Sequence, residues 1–345
     1  MKPCIYFSPK ASKDNFEGAR LRKNIKGALE IKNIDYAKSI FDRHDLVHFI
    51  SLDDESKIDD ALENNIKVVF SALTCENDPT ARILSYKSSN EAELSVKAVR
   101  VLNKVDRIFV PSEKARDYLV KNDIISPISI ITPGVNLSRF VLTGDASDNV
   151  FFDYNQIERG TKFIVSIGTY EKKEQLLRII EIAKLCPKYM FFFIGVEGKE
   201  RKLFKIKNIP SNLRLSPVVN DEIYCSMMKN ASIYLVLNSN SASPLTLLDA
   251  MASKTQIISA TMDEAIYLNE TRAYACASLE ETANLINTYM EGNIASTIDE
   301  AYEFAKENSL SKLGEELEKE YDLVLKGNTK NDWSKTYFRK PRRNC

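Results

Sequence analysis

The sequence lacks the features that would assign a protein to a class at first sight. Its 345 residues contain 48 Lys and Arg against 48 Asp and Glu, so the net charge points to no charged partner for the whole protein. No stretch approaches the roughly 20 apolar residues that span a bilayer, and the first residues contain no apolar signal-peptide segment. We therefore expect a soluble, cytoplasmic protein whose electrostatic functions come from local patches.

Cysteine and histidine are sparse. The six cysteines lie far apart with no CxxC pair, and the two histidines are His44 and His48. The spacing of zinc ligands is therefore missing, and a chain of this length does not need disulfides for stability. We expect reduced, mostly buried thiols and no metal site.

Short apolar runs alternate with helical patterns along most of the chain. In the first part the runs that predict strands are 4–9, 46–51, 66–73, 105–112 and 128–135. In the second part they are 162–168, 189–195, 213–219, 232–238 and 255–260. Strands that alternate with helices pair in parallel through crossover connections. The pattern predicts an α/β protein with doubly wound parallel sheets.

The alternation pauses over residues 142–162, where Gly, Asp, Ser and Asn occur without a sustained period. We predict four parts: a Rossmann-like domain over 1–145, a linker over 146–161, a second Rossmann-like domain with closing helices over 162–325, and a basic aromatic tail over 326–345. The helices of 296–326 are expected to pack partly on the first domain. Two such domains would suit a dehydrogenase, a periplasmic-type binding protein or a sugar transferase equally well.

Three segments distinguish between these classes. Residues 105–140 end in PGVN and then SRF, residues 165–185 read VSIGTYEKKEQLLRIIEIAKL, and residues 238–259 read NSNSASPLTLLDAMASKTQIIS. In this order and at these intervals they resemble the retaining glycosyltransferases of the GT-B fold (glycosyltransferase family 4-like, group 1). The corresponding family patterns are the NGVD…RF ending, the VGR…KG opening of the second domain, and the donor helix E-G-F-G-L-T-L-L-E-A-M-A. With DLVHFI at 45–50, similar to the family's D-V-V-H, the resemblance covers roughly residues 1 to 325.

The resemblance implies two domains that face a cleft, and transfer of a sugar from a nucleotide-diphosphate sugar to an acceptor hydroxyl. The acceptor would be a glycolipid, a cell-surface glycan or similar, and no metal or other cofactor is implied. Asp249 stands where the family has the carboxylate that accepts hydrogen bonds from the nucleotide ribose; a partly exposed helix acid is the other interpretation. The implied donor-binding residues are Gly168, Thr169, Val218, Val219, Ser241, Ser243, Pro244, Leu245, Thr246 and Asp249.

Two lysines are the implied catalytic residues. Lys172 and Lys173 follow the first strand of the second domain and would offset the charge of the leaving diphosphate. The same lysines also fit the solvated face of a helix start. Free N–H groups at the start of the donor helix would help to hold the diphosphate.

The chain departs from the family pattern at several positions. Ser241 stands where the first glutamate of the donor motif is expected, Pro244 where a glycine is expected, and Thr169 where an arginine is expected. The first-domain histidine is missing, since Ala72 and Leu73 occupy that region. These departures favour an alternative, a GT-B-fold protein without turnover that acts as a nucleotide-sugar-binding or partner subunit. An epimerase or dehydrogenase is disfavoured because no GxGxxG follows the first strand of either domain.

Gly18 and His48 are the acceptor-side candidates, although a core or rim position also suits a histidine at the end of an apolar strand. Residues 18–32 combine basic and apolar residues at helical spacing, and 333–343 are basic and aromatic. Both would suit an anionic membrane surface, and both also fit a solvated helix face and a disordered tail. We expect no nucleic-acid partner, because the body of the protein is neutral.

Overall fold

The computed structural model describes residues 1–8, 16–52, 54–73, 84–86, 92–94, 96–169, 173–196, 208–237, 243–261 and 266–327. The chain divides into two compact units. The first unit contains Met1–Pro133 and Leu310–Cys345, and the second contains Gly134–Ser309.

A five-stranded parallel sheet forms the centre of the first unit. Across the sheet lie, in order, β1 (Pro3–Tyr6), β2 (Leu46–Phe49), β3 (Lys67–Ser71), β6 (Arg107–Val110) and β7 (Ile128–Ile130). A separate antiparallel pair consists of β4 (Leu84–Tyr86) and β5 (Ala92–Leu94). The helices up to this point are α1 (Phe16–Ile31), α2 (Glu55–Glu63), α3 (Val96–Leu102) and α4 (Glu113–Lys121). All four residues of β2 and of β6 are buried, as expected for a parallel sheet that is covered on both faces.

The strand order of the first sheet reverses beside β1. A parallel bridge joins Cys4 to Ala37, and Cys4 also pairs with Val47 of β2, so Ala37 must lie on the other side of β1. The chain thus runs from β1 through α1 to Ala37 on one side of β1, and then crosses to β2 on the other side of β1. Right-handed crossovers in opposite directions place α1 on one face of the sheet and α2 on the other. The carboxyl ends of β1 and β2 therefore flank the switch point of this sheet.

A six-stranded parallel sheet forms the centre of the second unit. Its order is β10 (Leu213–Pro217), β9 (Met190–Val196), β8 (Phe163–Thr169), β11 (Ile233–Val236), β12 (Gln256–Ser259) and β13 (Tyr274–Ala275). The helices are α5 (Val150–Asn155), α6 (Lys173–Leu185), α7 (Asp221–Asn230), α8 (Pro244–Ala252), α9 (Leu279–Met290) and α10 (Ile298–Glu307). The prediction of α/β units with parallel sheets is confirmed.

The prediction of a linker over 146–161 is wrong. Phe151 and Phe152 of α5 are 0% and 2% exposed and pack in the core of the second unit. The Asp148 carboxylate accepts hydrogen bonds from Lys229 Nζ at 2.8 Å and from the backbone N of Gly144 at 2.7 Å. A polar stretch that reads as a linker is thus anchored by its buried aromatic rings and by one buried ion pair.

The second unit also ends earlier than the predicted boundary at residue 325. After α10, which packs on α8, the helix α11 (Leu310–Leu325) returns to the first unit and packs on α1. A Cβ on Gly314 would lie 2.7 Å from the carbonyl oxygen of Ala28, so the close approach of α1 and α11 requires glycine at this position. The expectation that the closing helices pack partly on the first domain thus holds for α11.

Hydrogen bonds connect α11 to the first sheet. The Tyr321 hydroxyl lies 2.6 Å from Nδ1 of His48 on β2, and Ser71 Oγ lies 2.7 Å from Nε2 of the same ring. Arg107 Nη1 on β6 donates to Glu320 Oε2 at 3.0 Å. His48 and Tyr321 are both completely buried. Burial lowers the pKa of His48 from 6.5 to about 3, so the ring is neutral in the folded protein.

No helix within the described part of the chain combines the length and apolar character needed to cross a bilayer. The described cysteines Cys4, Cys186, Cys225 and Cys276 are free thiols, and all but Cys225 are buried, as the sequence predicts.

The buried histidine makes the stability of the first unit depend on pH. The unfolded chain protonates His48 near pH 6.5 whereas the folded chain does so only near pH 3, so stability is lost as pH falls through that window. We expect a slope of up to about 1.4 kcal/mol per pH unit in the free energy of unfolding. Urea unfolding of wild type and His48→Gln at several pH values measures it. Equal slopes for wild type and His48→Gln would contradict the assignment.

Candidate functional site

The strand order of the second sheet reverses between β8 and β11. From β8 the chain builds outward through β9 to β10, and from β11 it builds in the opposite direction through β12 to β13. The helices that follow β8 and β11, α6 and α8, begin at the carboxyl edge of the sheet. In open α/β sheets a ligand binds outside the carboxyl ends of the two strands at such a reversal. This switch point is therefore the candidate site of the second unit.

Helix α8 and its N-cap residue supply five of the ten predicted donor-binding residues. Pro244 occupies its first turn, where a missing N–H removes no helical hydrogen bond, and Ser243 is the N-cap residue. All nine residues of the helix are buried, including the predicted residues Leu245 and Thr246, each 1% exposed. Backbone N–H groups and the positive end of the helix dipole make such a start suitable for a phosphate.

Asp249 lies in the interior of α8 and is 3% exposed, so the interpretation as a partly exposed helix acid is wrong. The hydroxyl of Tyr224 on α7 donates a hydrogen bond to its Oδ2 at 2.9 Å, and Tyr224 is itself 3% exposed. A carboxylate that is held by a buried phenol keeps a fixed orientation, and its two oxygens accept more than one hydrogen bond.

A second polar cluster lies at the start of α7. Arg139, in the 3-10 helix Leu137–Phe140, pairs with Asp221 and directs Nη2 to Cys225 Sγ at 3.2 Å. Burial raises the pKa of the Cys225 thiol; the positive charge of Arg139 opposes this shift, whereas the carboxylates of Asp221 and Asp249 add to it. Reasoning from the sequence missed Tyr224, Asp221 and Cys225, since α7 carries no motif, although Arg139 belongs to the SRF segment that carried the resemblance.

The carboxyl end of β8 brings Gly168 to the switch point. Gly168 is buried, and a Cβ there would lie 2.4 Å from Gln175 Oε1 and 2.9 Å from a ring carbon of Phe193. Thr169 ends the strand, and the exposed Lys173 is the first residue of α6. The predicted residues Lys172 and Ser241 lie outside the described residues.

Val218 and Val219 do not follow either of the two strands that flank the switch point. They follow β10, the outermost strand on that side, rather than β8 or β11. Val218 is 38% exposed, whereas Val219 packs in the hydrophobic core of the unit. The fold thus assigns Val219 a packing role.

The first unit changes the interpretation of both acceptor-side candidates. Gly18 lies inside the first turn of α1 rather than in a loop before it. His48 is completely buried, with hydrogen-bond partners for both ring nitrogens, so the prediction that it contacts an acceptor is wrong and the core interpretation holds.

The apolar face of 18–32 is likewise part of the core. Three large apolar residues of this segment are at most 2% exposed and pack between the sheet and α11, whereas Ile31 at the end of the helix is 52% exposed: Leu21, Ile25 and Leu29 are the buried three. Arg20 is 9% exposed and forms an ion pair with Glu17 at 2.9 Å. The outer side of this helix faces solvent with basic residues such as Lys23 and with Ile31. The second predicted membrane segment, 333–343, lies outside the described residues.

Residues 148–308 match the family described as "Glycosyl transferases group 1". The matched segment begins at Asp148, just before α5, and ends just after α10. It includes the whole second sheet. The match is to a glycosyltransferase family and covers 161 of the 345 residues, most of the second unit. This match confirms the resemblance to glycosyltransferases for this part of the chain, whereas the retaining mode stays a prediction.

Similar proteins extend the comparison over both units. The processive diacylglycerol alpha-glucosyltransferase of Acholeplasma laidlawii is 20% identical over 310 residues, which is 87% of this chain and 92% of that protein. The Anabaena protein HepE, solved in complex with UDP and glucose, has a TM-score of 0.66 at 11% identity and covers 93% of this chain and 98% of its own. Sucrose-phosphate synthase of Thermosynechococcus elongatus has a TM-score of 0.61 at 12% identity, with 93% and 81% covered. The chain has the GT-B fold, as predicted.

Potential metal ligands are dispersed. Among the described residues, no group of three or more His, Cys, Asp or Glu side chains is arranged to hold a metal ion. The absence of a metal requirement stays a prediction from the resemblance.

Close packing at Gly168 generates a test of the site's geometry. Gly168→Ala places a methyl group against Gln175 and the completely buried Phe193, so we expect about 1–3 kcal/mol of lost stability from overpacking. Urea unfolding measures the loss. Gln175→Ala in the Gly168→Ala background removes the closest contact and should restore part of it. Wild-type stability of Gly168→Ala would show that the end of β8 packs more loosely than described.

Proposed function

We propose that the protein is a retaining glycosyltransferase that moves a sugar from a nucleotide-diphosphate sugar to an acceptor hydroxyl, without a metal ion. The observation that carries this proposal is the position of Asp249. Its carboxylate is buried on α8, is oriented by Tyr224, and belongs to the helix that follows a switch-point strand. The match to the group 1 family and a fold neighbour solved with UDP and glucose support nucleotide-sugar transfer.

In this proposal the donor nucleotide binds at the switch point of the second sheet. Asp249 accepts hydrogen bonds from the ribose hydroxyls, a role that suits a carboxylate held in place by a phenol. The start of α8, with Ser243 as its N-cap residue and Thr246 in its first turn, takes the diphosphate by its N–H groups and dipole. Lys173, which is exposed at the start of α6, adds a mobile positive charge.

The transfer step requires above all that the negative charge on the leaving diphosphate is stabilised. As the bond to the sugar breaks, the sugar gains oxocarbenium character and negative charge accumulates on the diphosphate. Lys172, Lys173 and the α8 dipole stabilise this charge more strongly in the transition state than in the bound donor. Ser243, and Ser241 in place of a glutamate, hydrogen-bond to sugar hydroxyls more weakly than a carboxylate would.

A lipid is the acceptor we favour over a glycan. The relative from Acholeplasma laidlawii is a diacylglycerol glucosyltransferase and is similar over 87% of this chain. A lipid acceptor would bring the protein to the cytoplasmic membrane surface as a peripheral protein. Because the apolar side of α1 is buried, such contact would use its outer basic residues, such as the exposed Lys23, rather than insertion of the helix.

A second function is favoured by the substitutions in the donor motif. Without the glutamate at Ser241 and the arginine at Thr169, the chain could bind a nucleotide-sugar and serve as a partner subunit without turnover. Binding of a nucleotide-sugar with neither hydrolysis nor transfer, over a panel of lipid and glycan acceptors, would favour this function. Release of free nucleoside diphosphate in step with glycosylated acceptor would exclude it.

Asp249 provides the test of the donor site. Asp249→Ala should weaken binding of nucleoside diphosphates by roughly 1.5–3 kcal/mol, the usual contribution of hydrogen bonds to a charged group. Calorimetric titration with UDP, GDP and ADP measures the dissociation constants. Asp148→Ala is the matched control, because it removes another buried carboxylate of the same unit that pairs with Lys229. An unchanged dissociation constant in a folded Asp249→Ala protein would contradict the proposed role.

The two lysines test the transition-state role. Replacing both Lys172 and Lys173 by alanine should lower kcat more than it weakens nucleotide-sugar binding, because the diphosphate charge peaks as the bond breaks. Initial rates and equilibrium titrations with the same donor separate the two effects. Lys184→Ala, at the far end of α6 and paired with Glu181, is the control. Equal losses in rate and binding would show that the lysines bind the donor without favouring the transition state.

A further inference from the structure

Two buried serine hydroxyls lie at the switch point of the first sheet. Ser8 is 0% and Ser51 1% exposed, and neither Oγ has a hydrogen-bond partner within the described parts of the chain. They follow β1 and β2, whose register pairs Tyr6 with Phe49. The pairing continues beyond the strand ends, since Ile50 N donates to the Tyr6 carbonyl at 3.1 Å. Ser8 and Ser51 each lie two residues beyond the paired Tyr6 and Phe49. Ser8 therefore lies beside Ser51, on the same face of the sheet as Tyr6 and Phe49.

Ser8 and Ser51 are the buried hydroxyls without a partner among the described residues of the first unit; its other unpartnered buried atoms are nitrogens of Arg22, His44 and Arg107. A buried hydroxyl without a partner costs stability, and native proteins satisfy nearly all such groups. In the same unit, the hydroxyls of Ser71 and Tyr321 each form a hydrogen bond with a ring nitrogen of His48. The interior of this unit thus provides partners for other buried polar groups. Two neighbouring unsatisfied hydroxyls at the edge where α/β sheets bind ligands indicate a polar ligand that completes them.

The groups around the pair indicate the chemistry of that ligand. Tyr6 donates its hydroxyl to Asp54 Oδ2 at 2.5 Å, which places a carboxylate on the same side three residues beyond Ser51. At the start of α1, which leaves the same edge, Arg20 is neutralised by Glu17 at 2.9 Å. A nearby carboxylate and a neutralised arginine disfavour an anion such as phosphate. Serine hydroxyls both donate and accept, which matches the hydroxyls of a neutral polyol.

We propose that Ser8 and Ser51 bind neighbouring hydroxyl groups of the acceptor, carried by a glycerol or sugar moiety. This inference rests on the proposed transferase function and names the acceptor-recognition residues of the first unit. The two serines hold the acceptor by hydrogen bonds that the folded protein otherwise leaves unmade. They determine specificity for a hydroxylated head group and take no part in bond breaking.

The test uses the full chain without nucleotide, so its outcome is independent of the donor site in the second unit. Saturation-transfer NMR titrations with glycerol, glucose and inorganic phosphate compare wild type with Ser8→Ala/Ser51→Ala. We expect wild type to bind at least one polyol and the double variant to bind it about tenfold or more weakly. Preference for glycerol or for glucose identifies the source of the hydroxyls.

Ser166→Ala is the matched control, because Ser166 Oγ on β8 is also buried without a partner in the described residues, in the other unit. It should leave polyol binding unchanged. The single variants Ser8→Ala and Ser51→Ala, each with a smaller loss, replace the double variant if that fails to fold. The proposal is overturned if wild type binds neither polyol, if the serine variants bind as tightly as wild type, or if phosphate competes for the same site.

Discussion

Reversal of strand order is the constraint on which the candidate sites of both units depend. Each sheet grows outward in two directions from a central pair of strands, so the helices on either side of that pair cover opposite faces. A crevice is left at the carboxyl edge where no helix crosses. In the second unit this reversal brings Gly168, the start of α6 and the start of α8 to one edge. In the first it brings together Ser8 and Ser51.

Packing against the second sheet explains why the site residues are so deeply buried. Phe151, Phe163 and Phe192 form a cluster with ring centroids 4.9–5.5 Å apart, which fixes α5 against one face of the sheet. Helix α8 is buried along its whole length, so Asp249 is a buried acid, and the hydroxyl of Tyr224 provides one of its hydrogen bonds. The fold thus buries this carboxylate and orients it through a hydrogen bond from Tyr224.

Local patterns in the sequence were sufficient for the ten predicted strands, the parallel sheets and the start of α8, because apolar runs and a proline at a helix start act over a few residues. The short strands β4, β5 and β13 were not predicted. Local patterns were insufficient wherever contacts between residues far apart in the sequence determine to which unit a segment belongs. Residues 146–161 are polar enough to resemble a linker, yet two phenylalanines make them part of a core. The packing of a closing helix on the first unit was expected, but no local pattern near residue 310 marks where the chain returns to that unit; the contact of α11 with α1 depends on Gly314, 286 residues beyond Ala28.

The same limit applies to the candidate sites. Asp249 could be identified because a sequence motif surrounds it, whereas its partner Tyr224 is an ordinary helix residue whose role appears only when α7 and α8 are in contact. His48 resembled a functional histidine because the chain has only two, and its burial beneath Tyr321, 273 residues away, shows a structural role. The pairing of Ser8 with Ser51 likewise follows from strand register rather than from spacing along the chain.

The central claim is that a nucleotide-sugar binds at the β8–β11 switch point of the second unit. Hydrogen exchange with and without UDP-glucose, and with GDP- and ADP-glucose for comparison, tests it most directly. We expect that one of these donors slows exchange at the end of β8, at the start of α6 and in the first turn of α8, and leaves exchange in β10 and α9 unchanged. Protection elsewhere in the second unit, or no protection with any of these donors at saturating concentration, would contradict it.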